Sequence, residues 1–125
     1  MLKKVVTYTD YNGLERTEEF YFNLSKAELV EMEAGTPGGY SAMLQSVVDA
    51  KDVPALIKIW KELILKAYGV KSADGRRFIK SEEISQEFAQ TEAFVNLYME
   101  MVTDDKAAAA FANGIIPKMD VKQPQ

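Results

Sequence analysis

Asp52–Gly69, DVPALIKIWKELILKAYG, is the stretch whose reading decides the fold. Asp52 can cap a helix N-terminus, Pro54 stands in a first turn that needs no backbone donor, and Gly69 is expected to end the helix. Leu56, Ile57, Trp60, Leu63, Ile64, Ala67 and Tyr68 recur at helical spacing and cover a little over half the circumference. Lys58, Lys61, Glu62 and Lys66 occupy the rest. At about 100° per residue, Leu65 falls in the middle of that polar stripe. An apolar arc this wide needs the helices before and after it as cover, so the stretch is expected at the core of a small helical domain.

Outward from that helix, local signals divide the chain. Towards the N-terminus, KVVTYT (Lys4–Thr9) and the end of LERTEEFYF (Leu14–Phe22) are β-branched and aromatic, with Asp10-Tyr11-Asn12-Gly13 between them. This predicts a β-hairpin in which Phe20 and Phe22 face a core and Glu19 and Tyr21 face away. A lone hairpin is marginal in water, so it must pack on helices or pair with a sheet in another subunit. Ser25 and Glu28 form a capping box flanked by the Leu24/Leu29 staple, which opens a helix through KAELVEMEA that stops at Gly35. After a Thr36–Gly39 corner, a second helix over Tyr40–Ala50 places Tyr40, Met43, Leu44, Val47 and Val48 on one face.

Beyond Gly69, Asp74-Gly75 is a turn signal between Val70 and Phe78-Ile79, consistent with a second small hairpin that displays Arg76 and Arg77. Ser81 caps SEEISQEFAQ and Thr91 caps TEAFVNLYMEMV. In the latter, Phe94, Val95, Leu97, Tyr98, Met101 and Val102 are expected inward, with Glu92, Asn96 and Glu100 in an i, i+4 polar line. Thr103, Asp104 and Asp105 open a last helix that Gly114 is expected to end, after which Ile115, Ile116 and Pro117 tack the chain down. The predicted fold is mainly α with a small N-terminal β-hairpin (α+β), a compact bundle of about five to six helices. Residues 1–117 form one domain with its hairpin at about 4–22, and residues 118–125 a flexible tail.

Composition narrows the chemistry. There is no histidine and no cysteine, which removes thiolate ligands, disulfides and the commonest general base. Net charge is −4, and only Arg16, Arg76 and Arg77 among fifteen cations are arginine, a poor match to nucleic-acid or anionic-membrane binding. No apolar h-region follows Met1–Lys4, and lysines interrupt Val53–Tyr68, so a cytoplasmic protein is expected. The carboxylate pairs (Glu18-Glu19, Glu82-Glu83, Asp104-Asp105, Glu28/Glu31) sit at helix starts or on solvent faces, where capping and solubility explain them. Asp74 lacks the alternating acids of a calcium loop, and Gly35–Gly39 lacks the spacing and lysine of a phosphate loop. Catalytic, metal-binding and cofactor-binding residues are therefore expected to be none. What remains are contact surfaces: Arg76-Arg77-Phe78 on its turn, and Leu65 as an apolar anchor in a charged stripe.

The run from DVPALIKIWKELILKAYG through DGRRFIK and TEAF to AAAAFANGIIP resembles the tail assembly chaperones of long-tailed phages that infect Gram-positive bacteria. The likeness spans about Asp52–Pro117, and the hairpin with FNLSKAELVEME fits it. The resemblance implies a non-enzymatic protein, located in the host cytoplasm, that keeps the tape measure protein soluble and helps the major tail protein assemble around it. It also implies absence from the finished virion and, in such families, a longer form made by frameshifting. It supplies no fixed site residues and leaves homo-oligomerisation open. The competing expectations are a structural tail or connector subunit whose hairpin pairs between subunits, and a small nucleic-acid-binding regulator using Arg76, Arg77 and Lys71 or Lys80.

Overall fold

The computed structural model describes residues 1–116, the side chain of Val48 excepted; the expected Pro117 anchor and the 118–125 tail lie outside the described residues. Strands β1 (Leu2–Thr9) and β2 (Glu15–Phe22) pair antiparallel, with Leu2 opposite Phe22 and Thr9 opposite Glu15. The turn is built by Asp10, whose carboxylate accepts the amides of Asn12 and Leu14 at 2.9 and 3.0 Å. Gly13 takes the left-handed φ of +82° that closes it. Phe22 is fully buried and Phe20 half-buried, while Glu19 is exposed.

The hairpin does not stand alone. Helix α1 (Lys26–Ala34) and helix α2 (Tyr40–Asp49) follow it, then the central helix α3 (Val53–Ala67), strands β3 (Tyr68–Lys71) and β4 (Phe78–Ile79), and helices α4 (Glu82–Ala89), α5 (Glu92–Thr103) and α6 (Asp105–Ile115). The chain is thus mainly helical with an N-terminal hairpin, and both hairpins join in one antiparallel sheet of order β1-β2-β3-β4. The junction is β2 with β3, where Tyr21 faces Gly69 and Phe22 faces Tyr68. It supplies, within the chain, the packing that an isolated hairpin lacks.

This junction corrects the expected role of Gly69. Helix α3 ends at Ala67, and Tyr68 turns at once into β3, so Gly69 is a buried strand residue. A Cβ there would stand 2.7 Å from Phe78 Cε2 and 2.9 Å from the Ile79 carbonyl, so Gly69 is present for close approach. Gly114 is corrected likewise. It lies inside α6, against the Leu2 side chain, and does not end the helix.

Elsewhere the expected caps are in place. Ser25 and Glu28 make the reciprocal capping box, and Asp52, Ser81, Thr91 and Asp104 accept amides at the starts of α3 to α6. The core gathers around Phe22, whose ring lies 5.2 Å from that of Phe111 and 5.8 Å from those of Tyr68 and Phe88. Tyr68 stacks on Phe88 at 4.1 Å, and Trp60 meets Phe111 edge-on at 6.2 Å. These rings tie β2, β3, α3, α4 and α6 together.

Two residues depart from faces that otherwise lie as expected. On α5, Ala93, Phe94, Leu97 and Met101 are buried whereas Val95 is exposed; on α3, Ile57 is exposed because the first turns of the helix run beyond the core formed by Leu63, Ile64 and Ala67. Two members of the polar line of α5 reach the sheet. Asn96 Nδ2 donates to the Thr7 carbonyl of the outer strand β1 at 3.2 Å, and Glu100 pairs with Lys4 at 3.3 Å. Part of the edge that a further strand would need is thereby occupied.

Candidate partner-binding surface

The carboxylates have local duties. Glu18 accepts from the Tyr8 hydroxyl and meets Arg16, Glu19 pairs with Lys3 at 3.5 Å, and Asp74 accepts from Ser72 Oγ and the Arg76 amide. Glu82, Glu83 and Asp105 occupy first helical turns, where the helix dipole favours acids. Among the described residues no three His, Cys, Asp or Glu side chains gather as metal ligands. Glu28, like Glu100 with Lys4, is tied to a distant part of the chain. Lys80 Nζ donates to both its oxygens, at 2.9 and 2.8 Å, and to the Asn23 carbonyl at 2.6 Å. Burial pushes the Glu28 carboxyl up, but the Lys80 ammonium and the Ser25 amide outweigh it and hold it below 4.5.

Helices α1 and α2 form the least embedded layer. No residue of α1 is buried, and neither is any described side chain of α2. Their junction is held by Glu33, whose Oε1 accepts from Ser41 N at 2.6 Å and Ser41 Oγ at 2.7 Å; these bonds lower its pKa. Gly38 and Gly39 make the corner with φ of +78° and +95°. Between this layer, α3 and the end of α6 lies an open groove of 540 Å³. Its walls include Leu29, Met32, Tyr40, Leu44, Leu63, Ile115 and Ile116, with Glu33 and Gln45 the long polar side chains among them. It continues onto a shelf of 420 Å³ made by Leu29, Val30, Glu33 and Ala34, where Val30 is 61% exposed.

The residues singled out from sequence lie elsewhere. Arg76 and Arg77 are exposed on the β3–β4 turn, which is closed by the Ser72 amide donating to the Arg77 carbonyl at 2.9 Å. Phe78 is half-buried against Gly69, with Lys80 Nζ 5.7 Å from its ring centre. Leu65 is half-buried, packed on the core, and its carbonyl accepts from Ser85 Oγ of α4 at 3.1 Å. The fold brings the three turn residues together on one hairpin, whereas Leu65 belongs to α3. Ile116, expected to anchor the chain, is 44% exposed and forms part of the groove wall. The groove went unread in the sequence because its walls come from four helices. The available signal was an α1 whose apolar residues form too diffuse a stripe to bury any of them.

The fold is thus a small, mainly helical α+β one that bears an open apolar groove walled by helices. The match to a known family is more particular: residues 1–124 fit the phage tail assembly chaperone family, and the chain belongs to it. Its role is accordingly a non-enzymatic one in tail assembly. No curated protein and no solved structure matches the chain. Among the described residues no helix is long and apolar enough to cross a membrane.

Proposed function

We propose that this chaperone binds the tape measure protein, keeps it soluble during assembly and helps the major tail protein assemble around it. It acts in the host cytoplasm of phages that infect Gram-positive bacteria and leaves before the virion is complete. The observation that carries this reading is the uncovered apolar groove of 540 Å³ on a chain of the tail assembly chaperone family. A chaperone must cover apolar surface on its client without chemistry, and a groove walled by half-buried leucine, methionine and tyrosine does that. Arg76, Arg77 and Phe78 on their turn form a second and smaller contact surface in this scheme, and Leu65, half-buried on α3, is a separate anchor.

The test is co-expression with the tape measure protein of the same phage. The client moves to the soluble fraction and co-purifies with the chaperone, and mass spectrometry of purified particles lacks the chaperone. An insoluble client with no complex refutes the client assignment, and a chaperone peptide signal from mature particles at subunit stoichiometry makes the protein a virion component instead.

A further inference from the structure

We infer that the groove takes one face of an amphipathic α-helix whose flanks carry lysine or arginine, and that this helix comes from the tape measure protein. The inference rests on the client reading above and specifies the chemistry of the client segment.

Backbone satisfaction selects a helix. The groove walls are helices α1, α2, α3 and α6, whose amide donors and carbonyl acceptors are largely paired within each helix. An extended segment lying there finds no edge to pair with, so its own backbone groups would lose water without replacement. A helix carries its hydrogen bonds with it. Volumes agree with this choice. The groove and its shelf, 540 and 420 Å³, are the size of ligand pockets of about 300–1,000 Å³. Such volumes admit a few side chains at i, i+3 or i+4, and i+7, and leave the rest of the client helix outside.

Charge selects the flanks. The Lys26–Asp49 segment, which supplies α1 and α2, holds Glu28, Glu31, Glu33 and Asp49 against a single cation, Lys26. Lys80 neutralises Glu28 at 2.8 Å. Glu31, Glu33 and Asp49 are exposed, and Glu33 is itself part of the groove wall. Hydrogen bonds from Ser41 lower the Glu33 pKa. A helix resting on Leu29, Met32 and Leu44 therefore has the Glu33 carboxylate in the wall beside it, with Glu31 and Asp49 exposed on the same two helices, while Glu62 and Lys66 of α3 line the adjoining hollow with opposite charges. Cationic flanks are attracted there and acidic flanks are repelled.

The experiment uses the full chain, the co-expressed tape measure protein, and an array of overlapping peptides of about 20 residues from that protein. Val30→Asp places a charge on a side chain that is already 61% exposed, and Leu44→Asp places one in the groove wall. Both are expected to weaken capture at least about tenfold. The peptides retained by the wild type carry helical apolar spacing and net positive charge, and Glu31→Lys with Asp49→Lys lowers their affinity and flattens its salt dependence. If wild type captures no tape measure protein, the client reading itself falls. If wild type captures it and a folded groove-wall variant, with circular dichroism unchanged, captures it equally, the client reading stands and the groove assignment is overturned. Should Leu44→Asp fail to fold, Ile116→Asp, at a groove-wall side chain that is 44% exposed, decides in its place. Retention of acidic peptides only, or salt-insensitive binding, overturns the charge assignment.

Discussion

Replacing Lys80 with methionine tests how the loosely embedded α1 is held in place. Lys80 Nζ reaches across 52 residues of sequence to Glu28 and 57 to the Asn23 carbonyl, making three charge-assisted hydrogen bonds at 2.6–2.9 Å. The two ionic side chains are 21% and 24% exposed. An exposed ion pair contributes about 0–1 kcal/mol, and hydrogen bonds to charged groups about 1.5–3 kcal/mol each when shielded. An intermediate burial puts the loss near 2 kcal/mol. Methionine keeps most of the apolar stem, so the loss reflects the ammonium and not its packing. For a chain of this length, that corresponds to about 6–12 °C in Tm.

The same contact makes a pH statement with a definite sign. Glu28 is held below its ordinary 4.5 when folded, so the folded carboxyl binds its proton less tightly than the unfolded one. Its contribution is fully present above about pH 4.5 and is lost as pH falls through the lower, folded value. The gap between wild type and Lys80→Met is therefore widest at about pH 7 and narrows by about pH 3. Urea unfolding at both pH values, with Glu28→Gln and the double variant completing a cycle, measures the coupling directly. Hydrogen exchange should rise first in α1, which has no buried residue. A loss below about 0.5 kcal/mol at neutral pH, or one of equal size at both pH values, refutes the assignment.

Further outcomes follow from the packing. Gly69→Ala sets a methyl 2.7 Å from Phe78 Cε2 and 2.9 Å from a backbone oxygen, so it should cost about 1–3 kcal/mol, read by chemical denaturation. Phe111→Ala removes a buried ring that touches both Phe22 and Trp60; a loss of about 3–5 kcal/mol is expected, with a shift of Trp60 fluorescence in whatever folded fraction remains. Arg76→Ala with Arg77→Ala changes exposed side chains on a turn closed by backbone and Ser72 bonds, so Tm should stay put. Any drop in tape measure capture by that double variant then reports contact and not folding.

Features whose causes lie within a few residues were legible from the sequence alone. The Ser25/Glu28 box, the caps at Asp52, Ser81, Thr91 and Asp104, and the turns at Gly13 and Gly75 all depend on a side chain meeting a backbone group two to four positions away. The helical count and the N-terminal hairpin follow from them, and the likeness to tail assembly chaperones was carried by the same runs. Tertiary structure decided what distant parts of the chain do to one another. A glycine used for its left-handed φ, as at Gly13, looks the same in sequence as one used for closeness, as at Gly69 under Phe78 or Gly114 against Leu2. The pairing of β2 with β3, the Lys80–Glu28 tie and the groove between α1, α2, α3 and α6 each join residues far apart in the chain. Periodicity shows that a face is apolar; only packing determines which part of that face the protein covers itself and which part it leaves for a partner.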